Sequence, residues 1–205
     1  MIIASQKKKE NIAEYLLYMW QIEDIIRAYG LDIDQIQKHI INSYDLPEEQ
    51  KKSMREWYES LIDMMHSEGV EKKGHLQLNK NVLIDLTDLH LRLLKSTREP
   101  FYGAAFFKTL PYIVELRAKS GEGKTGELET CFNALYGVLL LRLQKKEIQS
   151  DTLKAIQQIS TFLSILAEKY KQEKEAAQVK QEAERTAAFA KSIYTKANEE
   201  GVLHF

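Results

Sequence analysis

The strongest constraint on this chain is the spacing of its apolar residues. They recur three and four apart, flanked by charge, through residues 12–29, 82–94, 128–143 and 156–170. That is the period of an amphipathic α-helix. No stretch of useful length alternates as a half-buried strand does. The chain is therefore expected to be all-α, a bundle of about six or seven helices. A helical core can be assembled from such residues without any active site, so the pattern names an architecture and not an activity.

Punctuation between the apolar runs sets the expected boundaries. The first helix is expected to start at residues 5–7 and run to Ala28 or Tyr29, with Gly30 as a left-handed stop. Its core stripe is Ile12, Tyr15, Leu16, Met19, Ile22, Ile26 and Tyr29. Asp32, with Gln35 three residues on, has the form of a capping box for a short second helix. Pro47 opens a third helix that carries Met54, Trp57, Tyr58, Leu61, Ile62 and Met65. The hydrophilic residues 67–80 form a loop containing Gly69 and Gly74. A fourth helix over 81–96 is apolar on most of its circumference, which predicts a central position. The aromatic-rich stretch 101–119 contains Pro111, which is expected to kink or split it. The most hydrophobic helix spans 127–146, and the last packed helix begins at Ser150 or Asp151 and reaches Tyr170.

Past Tyr170 the composition changes. Ten of the eighteen residues from 168 to 185 are charged, and most of the rest are Ala or Gln. Such a segment favours helix but has little to bury. The expected division is a bundle over 1–172 and a helical extension over 173–205, exposed or paired with a second copy. A thin seam of Ala176, Ala183, Ala187 and Ala190 is compatible with weak coiled-coil pairing, interrupted by Glu173 and Lys180.

Charge and cysteine content remove several classes of function. Twenty-nine basic residues face thirty acidic ones, so the chain lacks the net positive charge that displaces counterions from phosphates, and no nucleic-acid partner is expected. Lys7-Lys8-Lys9 is followed at once by Glu10 and has the form of a solvated helix start. A single cysteine, Cys131, excludes an internal disulfide and fits a reducing cytoplasm. The apolar run at the N-terminus is too short for a signal peptide, and the block 134–141 is far below the ~20 residues needed to span a bilayer. A cytoplasmic chain without a membrane partner is the expectation.

One motif invites a catalytic interpretation. The sequence AKSGEGKT at 118–125 fits a relaxed phosphate-binding loop, with alanine in place of the first glycine. Such a loop needs a buried strand before it, and residues 112–117 follow Pro111 within a helical pattern. No apolar strand ending in aspartate offers a magnesium partner. A polar connector between two helices accounts for the glycines, and nucleotide hydrolysis through Lys124 and Thr125 is rejected as the leading function.

The polar residues that a plain bundle does not obviously want are few. Arg142 shares a face with Leu128, Cys131, Leu135, Val138 and Leu139. There it either meets a carboxylate from Glu23, Asp24, Asp85 or Asp88, or snorkels to solvent at the helix end. His90 sits among leucines, as a hydrogen-bonded core histidine or as a ligand. Glu23, Asp24, Asp88, His90 and Arg142 together make the candidate buried polar pocket. Cys131 on an apolar face is a small hydrophobe. The five histidines form no Glu-x-x-His or His-x-x-x-His pair, so a di-metal site has no support. The aromatics Phe101, Tyr102, Phe106, Phe107 and Tyr112 are either core or the wall of an apolar pocket. No catalytic residue, metal or cofactor is assigned.

Three segments, IIASQKKKENIAEYLLYMWQIEDIIRAYG, ELETCFNALYGVLLLRLQKKEI and QISTFLSILAEKYK, resemble an uncharacterised all-helical bacterial family. It is known mainly as a domain of unknown function from Bacteroidetes-type genomes. The resemblance covers roughly residues 2–171 and leaves out the charged extension. It implies no assigned activity and transfers no site residue, and it implies that AKSGEGKT is a variable helix connector. The leading expectation is a non-enzymatic cytoplasmic binding or scaffold protein, self-associating through an apolar helix face or the extension. The alternative is a small-molecule-binding or enzymatic bundle with an interior pocket around Arg142 and His90.

Overall fold

The structure is a computed structural model that describes residues 2–120 and 125–199. Among them are eight α-helices and no strand, so the fold is an all-α bundle with more helices than the six or seven expected. The helices are α1 Ile2–Glu10, α2 Ile12–Ala28, α3 Ile33–His39, α4 Glu48–Ser67, α5 Gln77–Lys95, α6 Pro100–Ser120, α7 Glu127–Leu143 and α8 Ser150–Glu199. A single 3-10 turn, Ile41–Ser43, follows α3.

The extra helix comes from a break at Asn11. Its backbone is extended (φ −152°, ψ 105°), and its side-chain oxygen accepts from the N–H groups of Ala13 at 3.0 Å and Glu14 at 3.2 Å. Asparagine is among the best N-caps because it satisfies amides that the first helical turn leaves open. The expected single first helix is therefore two helices meeting at a cap. Gly30 ends α2 as expected, at φ +64°. Its N–H bonds to the Arg27 carbonyl and that of Leu31 to the Ile26 carbonyl, the paired pattern of a Schellman stop. Gly69 ends α4 in the same way, at φ +65°. Asp32 caps α3 through Asp34 at 2.8 Å and Gln35 at 3.2 Å.

Helix α6 runs through Pro111 without splitting. The proline removes an N–H and displaces the carbonyl four residues back, that of Phe107. Phe107 and Pro111 are both exposed, so that carbonyl is left on the solvent side. Helix α5 packs against α2, α6, α7 and α8, with Ile84 and Leu91 exposed on its outer side.

The core runs the length of the bundle. Leu16 and Ile26 from α2, Met65 from α4, Ile113 from α6, Phe132 from α7 and Phe162 from α8 are fully buried within one cluster. Each such side chain contributes about 1.5–3 kcal/mol through removal from water. The α6–α8 pairing is the most extensive between bundle helices, and α2 packs against α4, α5 and α8. Helix α8 is 50 residues long, roughly 75 Å at 1.5 Å per residue. It packs through Ile159, Phe162, Leu163, Leu166 and Ala167. From residue 172 to residue 192 every position is exposed.

Candidate functional site

One face of α2 carries an unusual row, Trp20, Glu23, Asp24 and Arg27, spaced as neighbours on a helix surface. Glu23 has 0% exposure. A carboxylate withdrawn from water is tolerable only with full hydrogen bonding, and Glu23 has it. Its Oε1 accepts from the Leu76 N–H at 2.9 Å and from Asn79 Nδ2 at 2.7 Å. Its Oε2 lies 2.6 Å from His75 Nδ1. The adjacent Asp24 accepts from the Tyr136 hydroxyl at 2.5 Å and from Arg27 Nη1 at 2.9 Å. Burial, and after it the hydrogen bond to Asp24, pushes the Tyr136 phenol above its ordinary value. Arg27 also donates to the carbonyls of Val70 and Gly74.

The row thus fastens the 68–76 loop and the start of α5 to α2. It also explains why α5 begins at Gln77 and not at 81. Glu23 accepts the Leu76 N–H, and Glu68 accepts the Gln77 N–H at 2.6 Å. These two carboxylates satisfy amides at a helix start that has no side-chain cap of its own.

The chemistry of the cluster centres on His75. A carboxylate only accepts, so Nδ1 carries a proton, and in the neutral imidazole Nε2 is left as an acceptor on the other edge of the ring. The ring stacks on Trp20, with centroids 4.2 Å apart and planes 14° from parallel. Its side chain is 32% exposed and borders a groove between α2, α6 and α7. The arrangement holds one imidazole in a fixed tautomer and orientation beside a mostly apolar surface.

The five residues of the expected pocket do not converge. Glu23 and Asp24 belong to this cluster. Asp88 is exposed on α5, beside Arg92, which pairs with Glu173 of α8 at 2.8 Å. His90 is buried elsewhere, its Nδ1 2.6 Å from the Tyr102 hydroxyl and its ring against Phe106 and Phe162. Its Nε2 lacks a hydrogen-bond partner, and the Glu127 carboxylate is 3.8 Å away. That charge favours the proton on Nε2, so Tyr102 donates to Nδ1. Burial lowers the His90 pKa and Glu127 partly opposes the shift. Arg142 is exposed in the last turn of α7, where a cation complements the helix dipole. It reaches solvent and does not line a pocket.

Other sequence candidates resolve in the same way. Cys131 is fully buried, and burial pushes its thiol up to about 12. The aromatic group divides: Tyr102 and Phe106 enter the core, while Phe101 is 87% exposed and Phe107 also faces solvent. Residues 118–120 are the end of α6, so a helix precedes the AKSGEGKT motif. Its residues 121–124, Lys124 included, lie outside the described residues. Among the described residues no group of three or more His, Cys, Asp or Glu side chains could hold a metal ion. Nor, among them, is any helix long and apolar enough to cross a membrane.

The sequence model of a family described as Domain of unknown function (DUF4924) matches residues 1–177. The chain belongs to that family. No curated protein and no solved structure matches it. The family match ends a few residues after α8 loses contact with the buried core, so most of the exposed length of α8 lies beyond it. Membership supplies no chemistry.

Sequence reasoning named Glu23 and Asp24 and missed Trp20, His75, Asn79 and Tyr136. His75 sits in a stretch that reads as a hydrophilic loop, and its partner is 52 positions away. The available signal was on α2, where a tryptophan and two carboxylates share one face of an otherwise apolar helix.

Proposed function

We propose that the protein is a non-enzymatic cytoplasmic binding or scaffold module that self-associates through the free length of α8, with bundle and extension dividing near residue 172. The supporting observation is the unbroken exposure of residues 172–192 within a continuous helix. Most helices in proteins are held by packing of an apolar face, and this length has none within the bundle. Here Ala176, Ala183, Ala187 and Ala190 line up with Val179, which is 68% exposed. Lys180, one heptad before Ala187, still interrupts the seam, and Val179 adds apolar surface beside it. Phe189, equally exposed, flanks the same seam. Pairing with a second copy buries these groups. Arg92–Glu173 does not replace such pairing, because an exposed ion pair is worth about 0–1 kcal/mol.

Light scattering on the size-exclusion peak tests the proposal. The full chain is expected at twice its monomer mass. The full-length variants Val179→Asp and Ala183→Glu, and a 1–172 truncation, are expected as monomers. A monomeric full chain at tens of micromolar overturns the reading.

A further inference from the structure

Gly137 is a glycine in the interior of α7 that the backbone does not require. Its φ is not positive, and a Cβ placed there would meet nothing within 4 Å. Neither conformational strain nor close approach of another helix calls for glycine, which costs about 0.8–1 kcal/mol relative to alanine inside a helix. What the missing side chain does is leave open a groove of about 440 Å³, within the usual range for small-molecule sites.

The walls of the groove define the ligand. Leu116 of α6 and Ala134 of α7 supply aliphatic surface, and the Trp20 and Tyr136 rings supply aromatic surface. The two rings meet edge-on, with centroids 5.6 Å apart. Two polar side chains on its rim offer hydrogen bonds to a ligand. One is His75 Nε2, since Nδ1 is committed to Glu23. The other is the side-chain amide of Asn133, which is exposed. The Thr130 and Tyr136 hydroxyls are occupied. The Thr130 hydroxyl donates to the Gly126 carbonyl at 2.8 Å and accepts from Arg117 at 3.2 Å, and Tyr136 is held by Asp24. No Lys, Arg, Asp or Glu lines the groove, and the nearby Glu23 and Asp24 are compensated by their own donors. A charged ligand would give up part of its hydration and find no counterion among the lining residues, the nearest cation, Arg117, being engaged by Thr130.

We propose that this groove binds a small, uncharged, planar ring that carries an amide or a ring N–H and C=O pair, chemically like a nucleobase or a nicotinamide. The ring lies against the apolar walls, an N–H donates to His75 Nε2, and the amide of Asn133 supplies the second polar contact. The proposal is independent of self-association through α8.

The test uses the ¹⁵N-labelled full chain and its two tryptophan indole N–H signals, assigned with Trp57→Phe. Trp20 borders the groove and Trp57 does not, so Trp57 is an internal control. Nicotinamide and uracil are the neutral probes, and nicotinate and benzamidine are the charged analogues. Nicotinamide or uracil is expected to shift the Trp20 signal saturably and leave Trp57 in place, with the charged analogues at least ten-fold weaker. Gly137→Leu fills the groove and is expected to abolish the response, with Gly137→Ala intermediate. His75→Phe keeps a ring on Trp20 and is expected to weaken binding several-fold. Unchanged Trp57 signals confirm folding of each variant. The proposal is overturned by the absence of a saturable Trp20 shift with both neutral probes, by an undiminished response in both Gly137 variants, or by tighter binding of a charged analogue. A Trp20 signal that moves with chain concentration alone would make the groove a contact between copies and would equally overturn it.

Discussion

At the scale of single residues, Glu23 is where the fold is most vulnerable. Its carboxylate holds three donors from a loop and a helix start more than fifty positions away. Removing the carboxylate leaves these donors without an acceptor, at a cost of about 1–3 kcal/mol for each one that stays buried. Glu23→Ala is therefore expected to lower stability by that order in urea unfolding. Glu23→Gln, which retains an acceptor, is expected to lose about 1–3 kcal/mol. His90 gives a separate prediction in pH. Its folded pKa is depressed below the ordinary 6.5, first by burial, with Glu127 the opposing charge and Tyr102, Phe106 and Phe162 the other groups around it. Below about 6.5 the unfolded chain takes up the proton more readily, so the stability that neutral His90 supplies is present above that pH and is lost as pH falls through it. The urea midpoint of the native chain is expected to fall more between pH 7 and pH 5 than that of His90→Phe. Parallel curves for the two proteins would show that His90 does not titrate in this range.

At the scale of helices, local signals and distant ones part company. Asn11 is a local signal, a favoured cap residue within an apolar-periodic run, and it divides what reads as one helix into two. Asn11→Ala is expected to destabilise the chain by about 0.5–2 kcal/mol, seen as a lower urea midpoint with an unchanged slope. The stop at Gly30, the cap at Asp32 and the start after Pro47 were all legible, because each acts on backbone within a few residues of itself. The start of α5 was not legible. Its amides are met by Glu68, nine positions back, and by Glu23, fifty-three positions back, which no window along the sequence contains. The passage of α6 through Pro111 depends on which side of that helix meets solvent, and neighbouring helices decide that.

At the scale of the whole molecule, α8 is both a core helix and a projection. Its first half closes the bundle through Ile159, Phe162 and Leu166, and its second half continues exposed over residues 172–192, about six turns. If that length pairs with a second copy, amide exchange over residues 172–192 is expected to slow as chain concentration rises, while exchange in the bundle core stays unchanged. The apolar period and the turn chemistry determined the all-α class, most helix limits and the exposed character of the extension, because those properties follow from local backbone preference and from the faces each helix must bury. Only the tertiary structure decided which polar residues meet. Arg142 and His90, alike in sequence as polar interruptions of leucine-rich helices, end in solvent and in the core respectively. Glu23 instead finds His75, a loop residue with no periodic signal. Contacts between distant residues depend on how helices are rotated and stacked against one another, and that arrangement is set by the packing of the whole core.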